Sequence, residues 1–276
     1  MDKEQQHMIP KGYLKSWVCP NPPLGKLGKM WVIQKDDRAT RELKSPKKYF
    51  REKDRYTLRE NGGRNLAVED ALGIVEHGFG EVLSRLQTRQ PLTGRDRVIL
   101  SFFTAAMMVR TDHIPGVVGN MLRTIHRQAA KQEAKENIEP SYSNAIAMFL
   151  PSLVGEVARV GIMENAKILT QMHLSIFVND DEAGFVTGDE PCCVCVPGAW
   201  NPFVGHPDVE LTMPLSPTLM AYYSWKILPV LYETWGRGKV DRLNSRTIGG
   251  CKKEFVSWKG IVRDEWFVAG PTLRTA

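Results

Sequence analysis

Helical and strand patterns occupy different parts of this chain, and this segregation limits the folds available to it. From about residue 66 to residue 171, apolar residues recur at helical spacing. From residue 174 onward, short apolar runs separated by turn residues predict strands, with a late helix over 237–256. Segregated patterns favour an α+β fold over alternating βαβ units.

We therefore predict a single domain over residues 1–276. A helical core, about 66–171, packs on an antiparallel sheet built mainly from the C-terminal part, 174–276. The N-terminal part, 1–60, contributes a short helix and strands.

The composition is that of a globular protein. Of the 276 residues, 42% are hydrophobic, which is enough for a substantial core. No run approaches the roughly 20 apolar residues of a membrane span, so we expect no membrane partner. The N-terminus is polar, and three of the five cysteines (Cys192, Cys193 and Cys195) share one predicted strand. These features favour reduced thiols and a cytoplasmic location.

A short polar turn at 184–191 lies between two predicted strands. The apolar runs Leu174–Val178 and Cys192–Val196 flank it, and Pro191 restricts Glu190 to an extended conformation. A carboxylate held between buried strands, such as that of Asp189, suits metal binding or acid–base chemistry. The alternative is an aspartate that only caps its turn through backbone hydrogen bonds.

Two predicted helices carry charged residues that border the core. Glu69 and Glu76 are seven residues apart, so they share one face, and two ordinary boundary glutamates are the alternative interpretation. The next helix, over 93–110, is nearly all apolar in its second half and ends at Arg110. Because an unpaired buried charge is very costly, we expect Arg110 to pair with a carboxylate. Glu76 is the first choice, with Glu69 and Asp189 as alternatives.

One early stretch concentrates basic residues, although the net charge of the chain is only +6. Its cations are interleaved with Tyr49, Phe50 and Tyr56, a pattern typical of nucleic-acid-binding surfaces. A solvated loop whose aromatic residues belong to the core is the alternative. The stretch also includes Lys44 and Arg59, and its candidate nucleic-acid-binding residues are Lys47, Lys48, Arg51, Lys53 and Arg55.

Several familiar motifs are absent from the sequence. It contains no Gly-rich phosphate loop, no dinucleotide-binding fingerprint, no His-Glu-x-x-His helix and no Gly-x-Ser-x-Gly turn. The clustered cysteines lack the Cys-x-x-Cys spacing of structural zinc, and adjacent residues on a strand point to opposite faces. Any functional site must therefore be assembled from dispersed residues.

Four dispersed stretches together resemble the bacterial domain-of-unknown-function family 4238 (DUF4238). They are His7–Pro10 with Tyr13 and Leu14, the helix from Glu69 to Glu76, Phe185–Pro191, and Pro214–Pro217. The family pattern has His-x-x-Pro-x-x-Tyr-Leu, Thr-Ser-Asp-x-Pro and Pro-Leu-Ser-Pro motifs in this order, and an Asn near the start of a late helix. Asn244 matches that Asn, whereas Gly188 stands where the family usually has a serine.

The resemblance implies a soluble bacterial or phage-related protein whose signature residues meet in space. On this basis the candidate catalytic residues are His7, Glu76, Arg110, Asp189 and Asn244. If the family's usual serine at position 188 were catalytic, this chain would lack it, whereas a role in forming the turn would survive.

Two function classes are compatible with these residues. The first is a hydrolase, namely a metal-dependent nuclease or phosphodiesterase, in which Asp189, Glu76 and Glu69 bind Mg²⁺ or Mn²⁺. His7 would transfer a proton and Arg110 would bind a phosphate. The second is a non-catalytic nucleic-acid- or protein-binding module whose polar signature residues form a structural network. The enzyme hypothesis requires Asp189 and His7 to line one open pocket.

Overall fold

The structure is a computed structural model that describes residues 5–60, 63–196 and 204–267. The remaining residues of the predicted domain, 1–4, 61–62, 197–203 and 268–276, lie outside the described part, as does the side chain of Arg59. The helices are α1 (Lys11–Leu14), α2 (Ala67–Gln87), α3 (Gly94–Arg110), α4 (His113–Glu136), α5 (Ser141–Phe149), α6 (Leu153–Gln171) and α7 (Arg237–Gly250). The predicted helical block over 66–171 thus corresponds to α2 through α6.

The strands are short, and in the sequence they precede or follow this helical block. They are β1 (Gln5–His7), β2 (Met30–Gln34), β3 (Arg41–Lys44), β4 (Arg51–Lys53), β5 (Leu58–Glu60), β6 (Gly63–Asn65), β7 (His173–Asn179), β8 (Thr187–Gly188), β9 (Cys193–Cys195), β10 (Glu210–Ser216), β11 (Leu219–Ser224), β12 (Tyr232–Trp235) and β13 (Glu254–Ser257). Short 3₁₀ turns occur at Lys15–Trp17, Leu150–Ser152 and Asp264–Phe267.

Two sheets organise most of these strands. The larger has the order β12-β7-β11-β10-β9 and is entirely C-terminal, with a parallel pairing between β12 and β7. The smaller has the order β3-β2-β13-β8 and joins N-terminal to C-terminal strands. The remaining pairs, β1–β4 and β5–β6, are antiparallel ribbons. The α+β prediction is confirmed, because the five helices α2 to α6 follow one another in a single block and the described strands pair mainly antiparallel.

The late helix is shorter than the predicted 237–256. It ends at Gly250, where Cys251 takes an extended conformation. The residues that follow form β13, which pairs with β2 on one side and β8 on the other. Pairing across the small sheet therefore replaces the last helical turns, and this pairing places residues 252–254 beside the turn at 184–191.

Helix α3 lies at the centre of the core. Its start is fixed by a capping box: the Thr93 hydroxyl accepts from the Asp96 amide, and the Asp96 carboxylate accepts from the Thr93 amide at 2.9 Å. Phe103 is 1% exposed and stacks on Phe79 of α2 with ring centroids 3.7 Å apart. Helix α6 approaches α3 so closely that a Cβ at Gly161 would lie 2.9 Å from Val109. The expected burial of α3 is thus present.

One helical segment, Ser141–Gln171, is long and apolar enough to cross a membrane by length and composition alone. Its apolar window has a mean hydropathy of 1.6, and 17% of that window is buried. From the sequence we predict two helical segments here, 141–150 and 152–171, separated at Pro151.

Replacing Phe103 with alanine should lower the free energy of unfolding by about 3–5 kcal/mol, because it removes a buried aromatic ring from a packed core. Chemical denaturation of the purified variant measures this change. Val98→Ala on the same helix is the control, since Val98 is 44% exposed and should cost only about 0.5 kcal/mol. Equal effects of the two substitutions would contradict the assignment of α3 as the core helix.

Candidate functional site

The guanidinium of Arg110 is buried at the C-terminal end of α3 and is 1% exposed. Its Nη1 donates to Glu76 Oε1 on α2 at 2.6 Å, and its Nη2 donates to the carbonyl of His7 on β1 at 2.6 Å. The expected pairing with Glu76 is therefore present. Arg110 therefore joins α3, α2 and β1. Its guanidinium has no exposed edge with which to bind a phosphate.

A second buried arginine, Arg55, binds the C-terminal end of α3. Arg55 Nε and Nη2 donate to the carbonyl of Arg110 at 3.1 and 2.8 Å, and Nη2 also donates to Asp112 Oδ1 at 2.7 Å. Glu52 completes the contacts of this guanidinium. Arg55 is 8% exposed. We therefore assign it to the end of α3, whereas the sequence analysis placed it among the nucleic-acid-binding residues.

His7 lies beside this cluster and is half-buried. Burial lowers the pKa of its imidazole, and the nearby Lys47 backbone and Glu76 oppose that shift. Its Nε2 is buried and makes no hydrogen bond within the described part of the chain. Burial therefore favours the neutral imidazole over its protonated form.

Asp189 caps a turn made of residues far along the chain. Its Oδ1 accepts from the Lys252 amide at 2.9 Å, and its Oδ2 accepts from the Lys253 and Glu254 amides at 2.7 and 3.3 Å. Three consecutive backbone amides therefore converge on one carboxylate, which is a strong charge-assisted arrangement. This geometry matches the capping role that was the alternative interpretation for Asp189.

Asn244 is fully buried on α7 and binds the backbone at the start of the turn at 184–191. Its Nδ2 donates to the Gly184 carbonyl at 2.9 Å, and its Oδ1 accepts from the Val186 amide at 3.0 Å. These bonds satisfy backbone groups that burial would otherwise leave unpaired. The structure brings Asn244 to the backbone of the turn, on the buried side of the protein.

The other signature stretches meet in the same buried network. The Tyr13 hydroxyl lies 2.6 Å from Thr187 Oγ1 and donates to the Pro214 carbonyl at 2.7 Å. Trp17 Nε1 donates to the Phe185 carbonyl at 2.9 Å. Motifs from the start, middle and end of the chain are therefore joined by hydrogen bonds that fix the fold.

Gly188 is required by a lack of space. A Cβ at this position would lie 2.4 Å from the Cys251 sulfur and 2.7 Å from the Glu254 carbonyl oxygen. In this protein the thiol of Cys251 fills the volume that a serine side chain at this position would need. All five cysteines are free thiols.

An open cleft of about 360 Å³ lies between the region of β4 and the turn capped by Asp189. Residues 48–52 and Met8 line one side, Asp112 lies between α3 and α4, and residues 189–190 and 252–254 line the other side. Asp189 is therefore in the cleft, but His7 and Glu76 are not among its lining residues. The sequence analysis missed Lys252 and Lys253, which are positioned by the backbone of the capped turn.

Glu190 is a buried carboxyl in this cleft. It is 8% exposed, and burial raises its pKa, while Thr111 and Lys252 act in the opposite direction. Lys252 Nζ lies 3.5 Å from Oε1, which makes no hydrogen bond of normal geometry within the described residues. Its position after Asp189 and before Pro191 was the signal available in the sequence.

The geometry does not fit a Mg²⁺ or Mn²⁺ ion held by Asp189, Glu76 and Glu69. The oxygens of Asp189 already accept from three amides, and Glu76 is bonded to Arg110. Glu69 lies two turns before Glu76 on α2. The described residues include no group of three or more His, Cys, Asp or Glu side chains placed to hold a metal ion.

Comparison with known proteins identifies the family of this chain. The family model described as "Protein of unknown function (DUF4238)" matches residues 5–258. The chain belongs to the DUF4238 family. No curated protein and no solved structure matches this DUF4238 protein. The matched region contains every signature residue discussed above.

In this DUF4238 protein, Arg110→Ala should lower the free energy of unfolding by about 3–5 kcal/mol, because Glu76 and the His7 carbonyl would lose a buried charged partner. Urea denaturation measures the change. The matched control is Arg159→Ala, which removes an exposed arginine paired with Glu156 at 2.9 Å and should cost at most about 1 kcal/mol. A near-neutral Arg110→Ala would refute the joining role of this side chain.

Asp189→Asn should destabilise the DUF4238 protein by about 1–3 kcal/mol, because an amide offers one acceptor oxygen where three backbone amides now point at a carboxylate. Thermal and chemical denaturation measure the change. Asp208→Asn is the control, since Asp208 is exposed and the substitution should be close to neutral. Unchanged stability of Asp189→Asn would mean that the cap does not hold the turn.

Proposed function

We propose that this DUF4238 protein is a non-catalytic nucleic-acid-binding module and that its cleft holds a single strand. The observation that supports this proposal most directly is the composition of the cleft. Lys48, Tyr49 and Arg51 come from the basic and aromatic stretch and line the same opening as Lys252 and Lys253, whereas Phe50 is 7% exposed and packs in the core. Cations beside the partly exposed ring of Tyr49 suit a strand that places phosphates on the former and a base on the latter.

The cleft is lined by four cations and five carboxylates, and the case for an anionic ligand depends on which of these charges are paired. Its carboxylates are engaged within the protein: Glu52 and Asp112 pair with Arg55, Asp189 accepts backbone amides, and Glu190 lies 3.5 Å from the ammonium of Lys252. Glu254 accepts from the Tyr49 hydroxyl at 2.6 Å. By contrast, three exposed lining cations form no ion pair with the described residues, namely Lys48, Arg51 and Lys253. Their charges remain available to phosphates.

The signature residues support binding over catalysis. Arg110, Asp189 and Asn244 each bond to groups of the protein itself, as a structural network requires. A hydrolase would need some of these side chains to face the ligand with donors or acceptors to spare. The reduced cysteines and the expected cytoplasmic location are compatible with a nucleic-acid partner.

The triple variant Lys48→Ala, Arg51→Ala, Lys253→Ala should weaken binding of labelled single-stranded RNA and DNA. Because each phosphate contact with a single strand contributes about 0.7 to the salt dependence, the slope of log K against log salt should fall by about 2. Fluorescence anisotropy over a range of salt concentrations measures both quantities. The control triple Lys26→Ala, Lys131→Ala, Lys135→Ala removes the same charge from exposed positions outside the cleft and should retain the slope.

Absence of binding by the wild type, or equal loss in both triple variants, would refute the proposed site. The same oligonucleotides incubated with Mg²⁺, Mn²⁺ or chelator test the hydrolase hypothesis directly. Metal-dependent cleavage that disappears in folded His7→Ala and Asp189→Asn variants would establish an enzyme and overturn the non-catalytic assignment.

A further inference from the structure

Helix α5 has the reverse of the usual polarity of a surface helix. Of its nine residues, the one that is buried is the polar Ser143, whereas Tyr142, Met148 and Phe149 are exposed, Met148 by 81%. Single exposed apolar side chains are common on protein surfaces, but three on one short helix with a buried serine are not accounted for by packing within the described chain.

Helix α4, which packs on α5, carries a second set of exposed apolar side chains. Val117, Met121 and Ile125 recur every four residues, so they form a stripe along one face of the helix, and each is exposed. Glu133 of α4 accepts a hydrogen bond from the Tyr142 amide at 2.8 Å, which joins the two helices into one unit. The apolar patch is the set of six exposed side chains on this unit: Val117, Met121, Ile125, Tyr142, Met148 and Phe149.

Cations without ion-pair partners accompany the apolar patch on α4. Arg127, Lys131 and Lys135 are exposed and form no ion pair with the residues that the structure describes. By the 3.6-residue period, Lys131 and Lys135 lie within about 40° of the edge of the apolar stripe. Residues 117–149 contain four cations and three carboxylates, and one of these carboxylates is the buried Glu133. The exposed surface of the unit is therefore both apolar and net positive.

We propose that the apolar patch and its neighbouring cations dock this protein on the surface of an anionic phospholipid bilayer. Helices that lie in the membrane interface combine exposed apolar side chains, which enter the acyl boundary, with Lys and Arg, which bind anionic headgroups. An isologous contact between two copies of the chain would instead place the same cations against each other. Charge complementarity thus favours the lipid surface.

The hydropathy of this part of the chain supports the same occupant. The segment Ser141–Gln171, which contains α5 and α6, is apolar enough for a membrane, yet only 17% of its apolar window is buried. A core helix of equal hydropathy has this window mostly buried. The apolar character of the segment therefore serves a surface that the described chain does not cover.

The fold restricts the contact to the surface of the bilayer. Helix α6 packs on α3, where a Cβ at Gly161 would lie 2.9 Å from Val109, and the 3₁₀ turn at Leu150–Ser152 separates α6 from α5. The helices therefore lie against the bilayer without crossing it. This proposal departs from the expectation of no membrane partner, which considered only a spanning run.

The test is flotation of the full chain with vesicles of phosphatidylcholine alone or with roughly one-third phosphatidylglycerol. Binding to the anionic vesicles should be at least about tenfold tighter, because each cation near an anionic bilayer contributes about fivefold. The pair Met121→Asp, Met148→Asp places charge in the patch and should weaken this binding at least about tenfold. The control pair Ile74→Asp, Ile227→Asp adds the same charge at exposed apolar sites outside the patch and should retain it. Thermal denaturation of both pairs verifies that they are folded.

The two triple variants described above separate the apolar patch from the cleft. The triple that includes Lys131→Ala and Lys135→Ala should bind anionic vesicles about tenfold more weakly, because it removes two cations beside the patch. The triple in the cleft should bind these vesicles as the wild type does. The inference is therefore tested independently of the proposed nucleic-acid binding.

Failure of the wild type to float with anionic vesicles, or equal binding to both vesicle types, would overturn the inference. Equal loss in the two aspartate pairs, or loss of vesicle binding in the cleft triple, would also overturn it. Light scattering without vesicles tests the other occupant. A dimer that dissociates in Met121→Asp, Met148→Asp would assign the patch to a second copy of the chain and refute the lipid contact.

Discussion

The buried guanidinium of Arg110 is the interaction on which the rest of the site depends. A buried charge destabilises the folded state unless its hydrogen-bonding partners are in place. The Arg110 guanidinium therefore constrains the positions of the groups that it binds. Its partners are a side chain on α2 and a backbone carbonyl on β1. Strand β1 pairs with β4, and residues 48–52 around β4 form one wall of the cleft. The shape of the cleft is thus set by an ion pair that does not line it.

The opposite wall of the cleft, residues 189–190 and 252–254, is also held by a charged side chain whose hydrogen-bond partners lie within the protein. The carboxylate of Asp189 gathers the amides of residues 252–254, and Asn244 fixes the backbone that leads into the turn. Charge-assisted bonds of this kind are short and directional, so they hold the neighbouring lysines at defined places. The signature residues Arg110, Asp189 and Asn244 form a structural frame that holds the two walls. We assign ligand binding to the neighbouring residues that line the cleft.

The sequence carried enough information for the architecture and for part of this frame. Segregated periodicities predicted the α+β fold, and the apolar run ending at Arg110 predicted both a buried helix and the pairing with Glu76. Strand β1 was not predicted, because three polar residues show no alternation. The partners of Asp189 are backbone amides 63 to 65 residues away, and backbone groups leave no signature in a sequence.

Arg55 shows why the cleft itself was harder to predict. In the sequence it is one of several cations in a basic stretch, but its guanidinium binds the carbonyl of Arg110 and two carboxylates. Composition cannot distinguish an arginine that satisfies the end of a helix from one that awaits a phosphate. Lys48 and Arg51 belong to the same stretch, and only the tertiary structure separates their exposed side chains from the buried one.

The buried bonds of Tyr13 also affect how the chain is made. They join residues separated by 174 and 201 positions, so the Tyr13 hydroxyl gains its hydrogen-bond partners only after most of the chain exists, whereas its ring packs on Phe79 and Phe103. At the usual 5–20 residues per second, about 10–40 s pass during synthesis before Pro214 follows Tyr13. Throughout that interval Tyr13, Leu14 and Trp17 present apolar surface without its final cover. The N-terminal segment therefore remains exposed to chaperones and to aggregation until the residues around Thr187 and Pro214 have been synthesised.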